Sequence, residues 1–213
     1  MTRKRDFIPY VAPFGLFGLL TYLINFFPFL GTFGYAGKTV ITAMVLWIFR
    51  GHFQKQIVFK FDFLAVSAGI LVFLLWVGLE GTYPLVGEST GYNPRGSAAV
   101  PLVYVLIVFR IAGASLVVPV MEELFWRSFA LRFLIDTDFK RIPFGAFTWF
   151  SFIMTSVAFG FEHHRWLPGI FAGMVYALLY YRTKNLFSPI LSHSVTNLLL
   201  GLYVLWSGHW SFW

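Results

Sequence analysis

The sequence predicts an all-α membrane protein, a polytopic transmembrane bundle of seven or eight helices. Hydrophobic residues make up 58% of the 213 residues and charged residues only 12%, about half the charged fraction of a soluble domain. The apolar residues form runs that approach the roughly 20 residues needed to cross a bilayer. The basic residues behind the net charge of +7 stand in short runs between these segments, as beside spanning helices. We therefore expect a lipid bilayer as solvent and no nucleic-acid partner.

The whole chain is predicted to form one membrane domain, 1–213, with N-terminal helices in 1–97 and a C-terminal helical core in 98–213. The sequence contains no cysteine, which excludes disulfides and thiolate metal sites.

The first three spans are predicted at 10–30, 35–50 and 63–79. The first follows a basic N-terminus, but its apolar run is too long for a signal peptide and lacks a small-residue cleavage site. The second carries Lys38 near its end, where a long side chain can reach the membrane interface.

A polar, Gly- and Pro-containing loop, 80–97, precedes the long apolar region 98–134. Pro119 leaves two possibilities for this region, one crossing or two helices. The last three spans are predicted at 142–161, 166–181 and 185–206. With the basic N-terminus inside and 98–134 crossing once, all the basic loops fall on the cytoplasmic side. We therefore expect a multi-pass integral membrane protein.

Ionisable residues inside a membrane bundle are functional candidates by default, because burying a charge there is costly. Glu123 and Arg127 are four residues apart, so they can form an ion pair on one helix face. Glu122 points in a different direction and has no partner on its own helix. This pattern is typical of one structural and one working glutamate. The alternative is that all three residues only hold helices together.

Two further clusters contain histidines. His163 and His164 directly follow an apolar run, a position typical of interfacial histidines. His193 and Asn197 are four apart on one helical face, a pattern that inter-helix hydrogen bonding alone would explain.

Taken together, these residues could activate water. Glu122 could take a proton from water while His163 shares or orients it. His193 and Asn197 could donate hydrogen bonds to a tetrahedral oxyanion. His163 or His193 could instead bind a divalent metal with Glu122, but the sequence contains no HExxH motif and the ligands are scattered. We therefore expect no cofactor and favour the metal-free alternative.

These motifs, Glu122-Glu123-x-x-x-Arg127, Phe159-x-x-x-His163 and His193-x-x-x-Asn197, resemble those of the CAAX protease and bacteriocin-processing (CPBP or Abi) family. The resemblance covers about residues 117–205. It implies an intramembrane glutamic endopeptidase in which Glu122 activates water, and Phe159 packs beside the site.

The resemblance further implies that His163 assists Glu122, that Arg127 holds Glu123, and that His193 and Asn197 stabilise the oxyanion. His164 lies outside the motif, and Arg110 receives no role. The string VVPVMEELFWRSF (117–129) also resembles CAAX-protease-related proteins that accompany bacterial exosortase systems, which implies a multi-pass protein of a bacterial cytoplasmic membrane.

The predicted function is hydrolysis of a peptide bond near the end of a membrane-associated protein or peptide. The alternatives are a transporter, or an assembly or immunity protein, in which the polar residues bind an ion or a partner. A family scaffold used for regulated interaction without turnover is a third. The sequence leaves the substrate, the oligomeric state and the membrane side of the site open.

Overall fold

The computed structural model describes residues 5–27, 30–87, 91–96 and 99–213. Over these residues the protein is helical without strands, so the predicted all-α class is confirmed. The long helices are α1 (Ile8–Phe26), α2 (Gly31–Phe49), α3 (Phe63–Gly78), α4 (Val100–Phe133), α5 (Trp149–Phe161), α6 (Trp166–Thr183) and α7 (Phe187–Ser207).

Four of these helices, α1, α2, α4 and α7, are long and apolar enough to cross a bilayer. The chain is therefore an integral, multi-pass membrane protein. Helices α3 and α5 are apolar but shorter, and α6 packs between α5 and α7 with many of its side chains buried.

Helix α4 is one continuous helix of 34 residues, so the described chain has seven long helices rather than eight. Pro119 is tolerated because a π-helical turn, Gly113–Val117, precedes it. Proline has no N–H and its ring clashes with the carbonyl four residues earlier, and the wider turn moves that carbonyl away. A second π-helical segment, Leu124–Ala130, follows the two glutamates.

The connections group at two ends of the bundle. At one end, Asn185 exchanges hydrogen bonds with the backbone of Val58, and Lys140 pairs with Asp6. At the other end, Trp166 donates to Pro84 O. The loop after α3, the turn after α5 and the C-terminal residues meet there.

The two ends differ strongly in basic residues. The described part of the first end carries eight lysines and arginines, Arg5, Arg50, Lys55, Lys60, Lys140, Arg141, Arg182 and Lys184, whereas the described part of the second carries Arg95 and Arg165. We call the first the basic end, and the positive-inside rule predicts that it faces the cytoplasm. Arg3 and Lys4 of the predicted N-terminal basic run lie outside the described residues.

Two sequence predictions were wrong in detail. The fifth span begins at Trp149 rather than 142, because Gly145 has a positive φ of 76° and Thr148 caps the helix by accepting from Ser151 N. Lys38 does not reach the interface. It lies in the first half of α2 and points inward, where its Nζ donates to Thr21 Oγ1 at 2.8 Å.

Glycines let α5 and α6 approach closely, as the Gly169-x-x-x-Gly173 spacing suggests. A Cβ at Gly169 would lie 2.9 Å from Gly160 Cα, and one at Gly173 would lie 3.0 Å from Ser156 Cα and O. Backbone meets backbone at these points, so a neighbouring side chain cannot move aside to make room.

We expect Gly169→Ala to lower the free energy of unfolding by about 1–3 kcal/mol through overpacking. Thermal unfolding in detergent measures this. Gly18→Ala in α1 is the matched control, since a Cβ there meets nothing within 4 Å. Equal unfolding midpoints for the two variants would show that α5 and α6 can separate without loss.

Candidate active site

Glu123 lies at the centre of a buried polar cluster. Its carboxylate forms an ion pair with Arg127, with Arg127 Nε 3.0 Å from Glu123 Oε2 and Arg127 Nη1 donating to Oε1 at 3.2 Å. His193 Nδ1 lies 3.0 Å from the same Oε1. Arg127 Nη2 also donates to Gly173 O at 3.0 Å. The cluster therefore joins α4, α6 and α7.

Aromatic rings surround this cluster. His193 stacks on Tyr176 with ring centroids 4.9 Å apart, and Phe159 lies edge-on to His193 at 6.0 Å. The Arg127 guanidinium carbon is 4.7 Å from the Phe159 ring centroid. These faces favour a cation and exclude water from the ion pair. Phe159 thus packs beside the cluster.

Glu122 faces away from this ion pair. Its Oε2 lies 3.9 Å from His193 Nε2, and the oxygen is buried with no hydrogen-bond partner. Since Nδ1 of His193 donates to Glu123, a neutral His193 presents a bare Nε2 towards Glu122. Only an imidazolium could donate from Nε2. If His193 is protonated, the two positive charges of Arg127 and His193 balance the two negative charges of the glutamates.

His163 is held in the short turn 162–165 between α5 and α6. Its Nδ1 lies 2.9 Å from Phe159 O, and because a carbonyl only accepts, Nδ1 must carry the hydrogen. Burial, with a smaller contribution from the nearby His193 and His164, lowers the pKa of His163 to about 4, although the bond to Phe159 O acts in the opposite direction. His163 is therefore a neutral imidazole with Nε2 free to accept a hydrogen bond.

The length of α5 sets the position of this turn. Helix α5 has 13 residues and α7 has 21, a difference of about 12 Å at 1.5 Å per residue. The turn is therefore recessed from the end of α7. Arg165 fixes it there by pairing with Glu80 and donating to Ser211 O.

Asn197 is held by the unusual backbone of α4. In the π-helical turn, Val118 N bonds to Gly113 O, and the next bond of this kind would run from residue 119 to Ala114 O. Pro119 has no N–H to donate. Asn197 Nδ2 supplies the missing bond, donating to Ala114 O at 2.8 Å. Its second amide hydrogen remains available.

The four predicted catalytic residues, Glu122, His163, His193 and Asn197, line one cavity of about 370 Å³. The cavity runs from buried residues such as Glu122 to exposed ones such as Ser211. Its exposed lining belongs to the turn after α5 and to the C-terminal residues. It therefore opens at the end of the bundle opposite the basic end.

Three cavity residues were missed or given no role by the sequence analysis. Glu162 directly precedes His163, and Trp126 Nε1 donates to Glu162 Oε2 at 3.0 Å. Loss of solvent around the Glu162 carboxyl raises its pKa to about 7. Lys38 and Arg110 also line the cavity. The sequence feature that could have identified these three residues is a charged side chain within or next to an apolar segment. His164 instead anchors the loop after α3, with Nδ1 2.7 Å from Val86 O.

The described residues contain no group of three or more His, Asp or Glu side chains arranged to hold a metal.

Comparison with known proteins gives two matches. The family described as type II CAAX prenyl endopeptidase Rce1-like matches residues 104–199. The "Putative membrane peptidase YdiL" of Bacillus subtilis (strain 168) is 26% identical over 215 residues, covering 85% of each chain. No solved structure matches.

We expect His163 to remain neutral, protonated on Nδ1, from pH 8 down to about 5, because its folded pKa is about 4. Nitrogen NMR of histidine-labelled protein, assigned with His163→Gln, distinguishes the tautomers. Because the unfolded histidine titrates near 6.5, stability decreases as pH falls from that value towards 4. A His163 signal that titrates near 6.5 would contradict this geometry.

Proposed function

The chain belongs to the CAAX protease and bacteriocin-processing family, and from this premise we propose that it is an intramembrane endopeptidase with Glu122 as its base. The observation that carries the proposal is the convergence of Glu122, His163, His193 and Asn197 on one cavity. The substrate would be a membrane-associated protein or peptide. The narrower resemblance to exosortase-associated proteins stays a prediction.

In the proposed reaction, water binds between the Glu122 carboxylate and the bare Nε2 of His163. Glu122 takes a proton from this water as the water oxygen attacks the peptide carbonyl carbon. The carbonyl oxygen becomes an oxyanion. The C–N bond then breaks, and the proton passes to the leaving amine.

The oxyanion would be stabilised by the second amide hydrogen of Asn197 and by His193 Nε2–H. This assigns the imidazolium form to His193, because its Nδ1–H is already directed at Glu123. The ion pair of Glu123 with Arg127 then has a definite purpose. The Glu123 carboxylate supplies a fixed negative charge beside His193, and Arg127 holds this carboxylate in place so that it does not compete for the water.

Glu122→Gln removes the base but keeps the side-chain shape, so we expect peptide cleavage to fall by at least about 1,000-fold while thermal unfolding is unchanged. Arg127→Met removes the guanidinium from the buried Glu123 carboxylate and leaves it only the bond from His193, so we expect a loss of about 3–5 kcal/mol of stability. Purified variants in detergent, assayed with a quenched-peptide library, give both results.

Equal cleavage by wild type and Glu122→Gln would remove Glu122 from the mechanism. Loss of wild-type cleavage on adding a chelator would replace the metal-free scheme with a metal-dependent one. A folded Arg127→Met variant of normal stability would contradict the structural role of the ion pair.

We also propose that substrate enters from the non-cytoplasmic side. The cavity opens opposite the basic end, and the basic end is the one that the positive-inside rule assigns to the cytoplasm. The substrate would then present its scissile segment outside the cytoplasm.

The cysteine-free sequence makes single-cysteine labelling a direct test of this orientation. Thr82 and Lys55 are exposed at opposite ends of the bundle. We expect a membrane-impermeant maleimide to label Thr82→Cys in intact cells and Lys55→Cys only after permeabilisation. The reverse pattern would place the cavity mouth in the cytoplasm.

A further inference from the structure

The cavity contains two basic side chains that the proposed reaction does not use. Lys38 of α2 and Arg110 of α4 both line it. Both rest on Tyr35, with Lys38 Nζ 5.0 Å and the Arg110 guanidinium carbon 4.0 Å from the ring centroid. Arg110 precedes Glu122 by twelve residues of α4, about 18 Å towards the cavity mouth.

Arg110 differs from the other inward-facing arginines. Arg127 and Arg165 pair with glutamates, and Arg132 donates to Ser128 and Ile142 O. Arg110 Nε, in contrast, is buried and has no hydrogen-bond acceptor. Over the residues that the structure describes, no carboxylate lies at ion-pair distance from Arg110 or Lys38.

An unpaired cation inside a membrane bundle costs free energy, and two facing one cavity also repel each other. This cost is recovered when an anion binds between them. A guanidinium and an ammonium are the donors that bind carboxylate or phosphate oxygens most strongly. Lys38 uses one donor on Thr21 Oγ1 and keeps the others.

We propose that Lys38 and Arg110 form an anion subsite that binds a carboxylate of the substrate polypeptide. The pair shares its cavity with Glu122, and about 370 Å³ is a volume typical of a small-ligand pocket. A lipid phosphate has the same acceptor chemistry, but its two acyl chains require more room. An extended chain covers 18 Å in about five residues, so the carboxylate would lie within about five residues of the scissile bond.

In naming a substrate feature, this inference rests on the proposed function, but it is tested by binding without cleavage. The probes are N-acetyl-Ala-Ala-Phe with a free carboxylate and the same peptide as an amide. Thermal unfolding in neutral detergent reports binding, because a ligand of the folded state raises the midpoint. Glu122→Gln is measured beside wild type and retains the subsite whether or not the protein is a peptidase.

We expect the acid, and not the amide, to stabilise wild type, Glu122→Gln and the exposed-site control Lys55→Gln. Arg110→Gln and Lys38→Gln should bind the acid at least about tenfold more weakly. Arg110→Lys should recover part of the affinity, which a purely structural role for Arg110 would not produce.

Equal binding of acid and amide, or full binding by Arg110→Gln, would overturn the subsite. A third arm compares nanodiscs of phosphatidylglycerol and phosphatidylcholine. The peptide assignment would be overturned in favour of a lipid if phosphatidylglycerol stabilised the wild type, Arg110→Gln abolished this effect, and the peptide acid had no effect.

Discussion

A buried ion pair in an apolar bundle is the constraint on which the rest of the structure depends. Glu123 is completely shielded from solvent, so every acceptor and donor around it has to be supplied by protein. Arg127 supplies the positive charge, the Gly173 carbonyl takes a further guanidinium hydrogen, and His193 approaches the remaining face of the carboxylate. Three helices are thereby fixed around one carboxylate.

The close approach of α5 and α6 follows from the same requirement. Arg127 reaches Gly173 O only if α6 lies near α4, and α6 in turn is fixed against α5 by glycines. Phe159 of α5 then covers the guanidinium. Because the short α5 ends soon afterwards, His163 comes next to the cluster instead of remaining at the bundle end. Helix length and charge burial together build the cavity.

Sequence patterns could predict much of this arrangement. The spacing of Glu123 and Arg127 predicts their ion pair, and the apolar runs predict seven helices, with errors mainly at their ends. The direction of Lys38 could not be predicted, because hydropathy does not say which face of α2 meets a cavity. The sequence could not decide whether Pro119 divides 98–134 into two helices, since a π-helical turn depends on a partner from another helix. The roles of the individual catalytic residues are assigned from their chemistry and from the geometry of the cavity, and cleavage assays test them.

The bond from Asn197 to Ala114 O has a mechanical consequence. It replaces a backbone hydrogen bond that α4 cannot make, so sliding α7 along α4 would expose a bare carbonyl. These two helices therefore behave as one rigid wall. The contact of α1 with α4 is of another kind, with Phe14 stacked on Phe125 at 4.0 Å, and rings can shift without breaking a hydrogen bond. A polypeptide that enters the cavity from its open end would thus meet α4 and α7 as a fixed surface.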